Sequence, residues 1–491
     1  MPAGSLRREL KLWEALAMSI GIMAPTLAMA LNGTAPAGLI GSKVPLAFLL
    51  AFVGIALVAY GFVRLTRYFN HAGSVYALAG MTLGPRAGFV GGWALMGYYF
   101  VSTVATFAAT GLFAVAFLHS AGISGHIPWL PIGLLTALLV WLLGTREIRI
   151  AARSLLTLEG ASVTLIVVLV VVILVRIIGG SAPHGQSFTL STFVPDHGIT
   201  FSAIMAASVF GFLSWAGFEA TATLGEETGD PRRNIPRALL FAVGITGVLY
   251  IVTMFAETIG FGANAAGAKQ FASSSAPLND LATSYMGSWM ATLLGLGATA
   301  SAFASALGSA AGASRLVFAF CRDGWGPRAL GVASPRNGSP ANAMSAVVSV
   351  AVVMLVIVFL TWTKSAVDVY FYVATMGVLA LLLVYAIASL GALRFLFFQG
   401  EARAPRWEMI IPVLATAYLL FVLYKQFSPV PAAPYNVFPY IAIAWTALGA
   451  ALALLRPTQA RRMGILLARG AVPDAADEGG VANAGGARVP A

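Results

Sequence analysis

Long apolar runs divide the chain into twelve segments, which short polar stretches separate. A typical run holds about 20 residues, the length of an α-helix that crosses a hydrocarbon layer of about 30 Å. Backbone groups inside lipid must be satisfied within the chain, so these runs are predicted to be helices. The predicted spans are residues 13–36, 44–63, 88–117, 128–145, 155–178, 200–225, 236–260, 288–320, 340–362, 366–394, 407–425 and 435–455.

The composition agrees with an all-α integral membrane protein. Hydrophobic residues make up 59% of the 491 positions and charged residues only 10%, whereas soluble domains have about 25% charged residues. The transmembrane domain is expected to cover residues 1–457, with no cleavable signal peptide before the first span. Residues 458–491, rich in Ala, Gly, Asp and Pro, are expected to form a disordered cytoplasmic tail.

The basic residues fall almost entirely on one side of the predicted helices. If the N-terminus is inside, the outer side keeps only five basic residues of 29, namely Lys43, Arg176, Lys269, Lys364 and Lys425. The positive-inside rule then predicts a multi-pass protein of the cell (cytoplasmic) membrane with both termini in the cytoplasm. The net charge is +11, and the basic residues that produce it are therefore expected to contact anionic lipid of the inner leaflet, not nucleic acid.

Cysteine and histidine give no sign of a metal or cofactor. Cys321 is the one cysteine, so no intramolecular disulfide can form. The five histidines lie in or beside predicted loops, and none are spaced as metal ligands on one helix face. We expect no metal site, and no cofactor apart from a proton or sodium as coupling ion.

Two of the twelve spans carry signs of a broken helix. In the first span, Pro25 has no N–H, so the carbonyl of Gly21 loses its helical partner. The sixth span holds Gly211 and Gly217, followed by the carboxylate of Glu219. A simple proline kink would also explain the first pattern, and close packing of a small-residue helix face would explain the second.

The spacing of the two interruptions favours a functional interpretation. They lie five spans apart, which predicts two inverted five-helix repeats at about 13–178 and 200–394, with peripheral helices at 407–425 and 435–455. Interrupted spans at matching positions in inverted halves indicate a binding site at the bilayer midplane. Freed N–H groups suit a carboxylate and freed carbonyls suit an ammonium, so a zwitterionic amino acid is the expected class of substrate.

A few carboxylates lie within predicted spans, where charge is costly and usually functional. Glu159, in the first third of span 5, is expected either to trade a proton or to be held locally near a helix end. Glu219 could cap the opened helix of span 6 or take part in transport. Glu257, near the outer end of span 7, is expected at the membrane interface.

The inner loop after span 6 places acids directly before bases. Glu226 and Glu227 end one helix, and Arg232 and Arg233 begin the next. These charges are close enough to form an ion-pair latch that closes in one access state and opens in the other. A solvated connector that obeys the positive-inside rule is the alternative.

The same loop carries a resemblance to a known family. The sequence from Gly217 to Arg237, with Gly217-Phe218-Glu219 and Asp230-Pro231-Arg232-Arg233-Asn234-Ile235-Pro236-Arg237, resembles the span-6 signature of the amino acid–polyamine–organocation (APC) transporters. Ser314-Arg315 and Arg322-Asp323-Gly324 resemble a second pattern of that family. The resemblance covers roughly residues 10–400 and implies the leucine-transporter-like fold.

The resemblance also implies which residues bind substrate and ion. It assigns substrate contacts to the two breaks and an aromatic gate to a position near Phe212 or Leu213, of which only Phe212 has the chemistry. Trp215, one turn away, could serve the same purpose. Glu159 falls where many similar permeases carry a lysine, and there it could bind a proton, ligate sodium with Ser301 or Ser305, or favour a cationic substrate. The implied substrate contacts are Gly21, Ile22, Met23 and Ala24 in span 1 and Ser214, Trp215, Ala216 and Gly217 in span 6.

Secondary active uptake of an amino acid by alternating access, coupled to protons through Glu159, is the leading hypothesis. An importer of polyamines or other amines, or an amino acid exchanger, is the alternative. A membrane enzyme would need polar catalytic clusters that the spans lack, and a channel would show repeated polar lining residues. A small-molecule substrate and the lipid bilayer are the expected partners, and no obligate protein partner is indicated.

Overall fold

The computed structural model describes residues 11–69, 75–146, 149–195, 198–226, 228–322, 324–334, 339–461 and 465, with side chains omitted at 22, 149–155 and 223–226. Most of the predicted tail therefore lies outside the described residues. Within the described part of the chain, twelve helical segments are long and apolar enough to cross a membrane. Each coincides over most of its length with one predicted span, which confirms the twelve-span membrane fold.

The first span is a broken helix. Its two halves are α1 and α2, and a short helix, α3, leads into the second span. The bounds are α1 (Leu12–Ile22), α2 (Pro25–Leu31), α3 (Thr34–Ile40), α4 (Val44–Leu65), α5 (Val75–Leu83), α6 (Pro85–Ser120), α7 (Trp129–Arg146) and α8 (Arg149–Ile178).

The sixth span is also broken, into α9 and a 3-10 helix at Phe218–Glu226. The remaining bounds are α9 (Phe201–Trp215), α10 (Pro231–Phe261), α11 (Ala265–Ser273), α12 (Pro277–Tyr285), α13 (Ser288–Arg322), α14 (Ala341–Thr361), α15 (Ala366–Phe397), α16 (Ile410–Tyr424) and α17 (Phe438–Leu455). The helix α5 and the pair α11 and α12, with nine residues each, are too short to cross a bilayer and were not predicted.

The first span ends earlier than the apolar pattern predicted. Asn32 caps α2, and Thr34–Ile40 forms the separate helix α3, so the predicted end at residue 36 is wrong. Gly41 then adopts a φ of 57°, a conformation that glycine tolerates and that turns the chain into α4. Because Thr34–Ile40 is apolar, its sequence alone does not distinguish a span end from a short helix.

The centre of the bundle is built around the long helix α6. It packs between α13 and α15, and with 36 residues it matches α13, with 35, five spans later. The helices α16 and α17 pack on the outside, against α15. Exposed apolar side chains such as Val171, Val175 and Ile178 of α8 face outward, as expected of a surface that contacts lipid.

Candidate substrate and ion site

A cavity of about 520 Å³ lies between the two broken spans and α6, α13 and α15. This volume falls within the range of about 300–1,000 Å³ found for small-molecule sites. Both breaks contribute to its wall, as do aromatic side chains of α6 and α15. Its polar lining includes Asn32, Tyr98, Tyr99, Glu159, Arg315 and Tyr370.

The cavity extends toward the face of the bundle at which α1 begins. Tyr76 of α5 and the exposed Arg315 of α13 line this end. Toward the opposite face, Phe271 of α11 packs so tightly on Gly33 that an added Cβ there would come within 2.4 Å of the ring. The lining of the cavity therefore reaches an exposed residue at one face, while α11 packs tightly on the chain between α2 and α3 at the other.

The break in span 1 lies at Met23 and Ala24, where the proline pattern predicted it. Ala24 has φ 48° and ψ 60°, a left-handed conformation that is unfavourable for any residue with a Cβ. Pro25 is the first residue of α2, a position at which an N–H would have no partner within the helix, so its missing N–H costs nothing. Gly21, Met23 and Ala24 line the cavity, whereas the side chain of Ile22 lies outside the described part.

Two polar side chains satisfy the free N–H groups at the start of α2. The backbone N–H of Thr26 donates to Oε1 of Glu159 over 2.8 Å, and that of Leu27 donates to Oγ of Ser301 over 3.1 Å. The positive end of the α2 dipole thus contacts a carboxyl group that is only 6% exposed. Glu159 also lines the cavity, so one carboxyl group contacts both the helix end and the space for a ligand.

The resemblance implied, as one alternative, that Glu159 ligates sodium with Ser301 or Ser305. Both lie on α13 one helical turn apart, and Ser305 lines the cavity while Ser301 is bonded to α2. The Oγ1 atom of Thr26 is buried and has no hydrogen-bond partner in the described part of the chain. Hydrogen bonds at Thr26, Leu27, Glu159 and Ser301 therefore join spans 1, 5 and 8 at this point.

The break in span 6 is held by a carboxylate. After α9 ends at Trp215, Gly217 adopts φ 104°, which favours glycine. Oε2 of Glu219 accepts the Gly217 N–H over 3.0 Å and the hydroxyl of Tyr385 over 2.6 Å. Glu219 is fully buried, and it accepts a backbone N–H that the break leaves without a helical partner.

The predicted span-6 contacts divide into two groups. Ala216 and Gly217 line the cavity, together with Leu213. The structure places Phe212 elsewhere, with its ring 6.4 Å from that of Tyr418. Successive helix residues differ by about 100° in direction, so Leu213, not Phe212, faces the cavity.

Trp215 and Ser214 pack on the side of the break that faces away from the cavity. The indole of Trp215 donates to Oγ1 of Thr246 over 3.1 Å and contacts the ring of Tyr250, with centroids 4.9 Å apart. Ser214 accepts a 2.9 Å hydrogen bond from the side chain of Asn32. An aromatic gate of Phe212 or Trp215 is therefore not assembled at the cavity in this structure.

Asn32 is a site residue that the sequence reasoning missed. Its Nδ2 donates to Ser214, and its Oδ1 accepts the Tyr370 hydroxyl over 2.9 Å, so one side chain joins spans 1, 6 and 10. A polar amide at the end of an apolar run was the available signal. The tyrosines of α6 and α15 gave no signal, because aromatic residues are common on apolar faces.

Arg232, Arg233 and Glu257 do not line the cavity. Arg232 and Arg233 are exposed in the first turn of α10, while Glu227 and the side chain of Glu226 lie outside the described residues. Glu257 was expected at the membrane interface, and the structure places it near the end of α10, packed inside the bundle. It is fully buried, and neither carboxyl oxygen has a hydrogen-bond partner in the described part of the chain.

Twelve spans, with two broken helices and a cavity between them, are typical of a transporter with discontinuous helices. The family comparison agrees, because residues 12–455 match the model of the amino acid permease family. The chain belongs to this family, within the APC superfamily, and is a transporter, not an enzyme.

Several relatives are similar over most of their length. The branched-chain amino acid permease BcaP of Bacillus subtilis is 26% identical over 68% of this chain and 72% of its own. The low-affinity putrescine importer PlaP of Escherichia coli is 26% identical over 72% of this chain and 75% of its own. The methylthioribose transporter of Bacillus subtilis is 27% identical over 52% and 55%, respectively.

Proposed function

We propose that the protein is a secondary active amino acid permease of the cell membrane that couples uptake to protons through Glu159. The hydrogen bond from the Thr26 N–H to Glu159, on the wall of the cavity, carries this proposal. The family and the relatedness to a branched-chain amino acid permease support the class of substrate.

The coupling follows from competition for one helix end. An ionised Glu159 neutralises the positive end of α2, so a substrate carboxylate in the cavity would be repelled. A proton on Glu159 removes that negative charge and leaves the helix end to the substrate carboxylate, an interaction of up to about 2 kcal/mol in a partly buried site. Proton and substrate therefore favour each other's binding, as symport requires.

The substrate contacts come from the two breaks. We propose that backbone groups at Gly21, Ile22, Met23 and Ala24 and at Ala216 and Gly217 bind the amino and carboxylate groups. Phe212, Ser214 and Trp215 would hold the shape of the break from behind. The latch of Glu226 and Glu227 with Arg232 and Arg233 would form on the cytoplasmic side, where the positive-inside rule places both termini.

Purified protein tests the proposal in two stages. A thermal-shift screen against amino acids and polyamines first identifies a ligand, since a ligand at 100 times its dissociation constant stabilises by about 2.7 kcal/mol. Binding and uptake into liposomes are then measured at several pH values. We expect the affinity of the wild type to rise as the pH falls.

The decisive variant is Glu159→Gln, which keeps the hydrogen-bonding shape and cannot ionise. Its affinity should not depend on pH, and an acidic exterior should no longer drive accumulation, while exchange of bound substrate continues. Glu401→Gln, an exposed glutamate outside the cavity, is the control. Acid-driven accumulation by Glu159→Gln equal to that of the control would refute proton coupling through this residue.

Sodium is the other coupling ion that the site could accept. Ser301, Ser305 and Thr26 provide hydroxyl oxygens near Glu159, and hard cations prefer oxygen ligands. Accumulation driven by a sodium gradient at equal pH on both sides, and lost in Ser301→Ala, would favour this ion.

An amine importer is a second candidate function. Glu159 is accompanied in the cavity by Tyr76, Tyr98, Tyr99 and Tyr370, and a carboxylate among aromatic rings suits an ammonium ion. The related putrescine importer supports this class. Uptake blocked by putrescine, but not by leucine or alanine, would select the amine importer.

A further inference from the structure

The outer surface of the bundle has a groove of about 580 Å³ between α4, α10 and α16. We propose that this groove binds one anionic phospholipid, with an acyl chain along the groove and the phosphate at its arginine-rich end. The proposal concerns the surface that faces lipid and is independent of the transported substrate.

The walls of the groove are apolar along most of its length. Phe52, Val53, Ala56 and Leu57 of α4 face Leu240 of α10 across it. Val53 and Leu240 are 44% and 53% exposed, as expected of side chains that contact lipid. An acyl chain is the one abundant partner of matching chemistry at this depth.

The length of the groove matches one leaflet. From Phe52 to Arg64, α4 advances about 18 Å at 1.5 Å per residue. One leaflet contributes half of a hydrocarbon thickness of about 30 Å. A chain that starts at the arginines would therefore reach approximately the middle of the bilayer.

One end of the groove carries an excess of positive charge. Arg64 forms an ion pair with Glu408, which also accepts the Tyr60 hydroxyl. Arg67 lines the same end, is exposed, and makes no side-chain hydrogen bond or ion pair within the described part of the chain. Glu408 therefore balances one of two arginines and leaves a charge for an anionic headgroup.

A third arginine lies beside this end. Arg237 is exposed on α10, three residues before Leu240, and therefore on the same side of the helix as that groove residue. The end of α4 and the start of α10 share the face of the bundle at which α1 begins. The positive-inside rule assigns that face to the inner leaflet, where anionic lipids concentrate.

The groove is also close to the break in span 6. The ring of Phe52 lines the groove and contacts the ring of Trp215, the last residue of α9, with centroids 5.9 Å apart. The same ring would clash with a Cβ at Gly247 of α10, at 2.3 Å. A bound chain would therefore contact Phe52, whose ring packs on Trp215 behind the break in span 6.

Native mass spectrometry of the purified full-length protein tests the site. The protein is incubated with phosphatidylglycerol or phosphatidylcholine of equal chain length, and retained lipid is counted. The variants are Arg67→Gln with Arg237→Gln, which removes headgroup charge, and Ala56→Trp, which fills the groove. The controls are Arg86→Gln with Arg328→Gln, two exposed basic residues of the same face, and Val350→Trp on α14.

We expect one tightly retained phosphatidylglycerol in the wild type and both controls. Affinity should fall about fivefold for each groove arginine removed, in line with the contribution of one basic residue near an anionic surface. Ala56→Trp should lose the retained lipid without loss of thermal stability in phosphatidylcholine.

Three outcomes would overturn the proposal. The first is equal retention of phosphatidylcholine and phosphatidylglycerol by the wild type. The second is unchanged retention in both the arginine variant and Ala56→Trp. The third is full stabilisation by glycerol 3-phosphate alone, which would show a site for a free phosphate group without an acyl chain.

Discussion

The hydroxyl of Tyr385 donates a 2.6 Å hydrogen bond to Oε2 of Glu219, and so joins span 10 to the break in span 6. The same oxygen accepts the N–H of Gly217, while Oε1 has no partner in the described part of the chain. The phenol and the Gly217 N–H therefore both stabilise a fully buried carboxyl.

Replacing Tyr385 with Phe should destabilise the backbone conformation at the break in span 6. The loss of one hydrogen bond to a buried carboxyl costs about 1–3 kcal/mol, and Gly217 on the cavity wall would lose its fixed position. We expect a lower unfolding temperature in detergent and a higher concentration of substrate for half-maximal uptake.

The control for this prediction is Tyr424→Phe, since Tyr424 is 55% exposed on α16. Both variants remove one phenolic oxygen, but only one of those oxygens is buried. Equal unfolding temperatures for the two variants would contradict a structural role of the Tyr385 hydroxyl.

Asn32 should be coupled energetically to Tyr370. In Asn32→Ala, Tyr370 loses its buried acceptor and Ser214 loses a donor, so the free energy of unfolding should fall by about 1–3 kcal/mol for each buried group left unsatisfied. Tyr370→Phe should cost less, because only Oδ1 of Asn32 is left without its donor.

A double-mutant cycle measures this coupling. The double variant should be more stable than the sum of the single effects predicts, by about 0.5–3 kcal/mol. A cycle that pairs Asn32→Ala with Tyr440→Phe, which is exposed and on α17, should be additive. Additivity in both cycles would show that Asn32 and Tyr370 do not interact.

The membrane architecture could be predicted from the sequence because its signals are local. A run of apolar residues and a proline at position 25 are sufficient to locate twelve spans and the first break. The predicted end of span 1 was wrong because Thr34–Ile40 is apolar and reads as part of the span. The turn after this short helix depends on the positive φ of a single glycine, Gly41.

The walls of the site could not be predicted in the same way. Whether Phe212 or Leu213 faces the cavity depends on a rotation of about 100° about the helix axis, and both residues are apolar. Asn32, Tyr370 and Tyr385 act through partners more than a hundred positions away. Such contacts leave no pattern in one sequence. The contact of Glu219 with Gly217 differs, because it joins residues only two positions apart.

Gly297 should be essential for the contact between spans 5 and 8. A Cβ at this position of α13 would come within 2.7 Å of Cβ of Ser162 on α8, closer than any relaxed contact. Since Ser301 lies one turn further along α13, Gly297→Ala should displace the group that bonds to Leu27. We expect reduced stability and reduced uptake.

Gly160→Ala is the matched control, because Gly160 lies on α8 with open space around its missing Cβ. Alanine favours a helix over glycine by roughly 0.5–1 kcal/mol, so this variant should be as stable as the wild type or more so. If Gly297→Ala behaved in the same way, the close approach of α8 and α13 would not be needed for the site.

Glu257 should destabilise the protein, because burial of its carboxyl is not compensated. Both oxygens lack a partner in the described part of the chain, and its side chain is fully buried. Met has a similar length and no group that requires a hydrogen bond, so Glu257→Met should raise the free energy of unfolding by about 1–3 kcal/mol. Glu401→Met, at an exposed position, should change it by no more than about 0.5 kcal/mol.

Unfolding of the purified variants in detergent provides the measurement, and a loss of stability in Glu257→Met would mean that this carboxyl has a stabilising partner. If Glu257→Met is more stable but transports less, the carboxyl is kept for transport at the expense of stability.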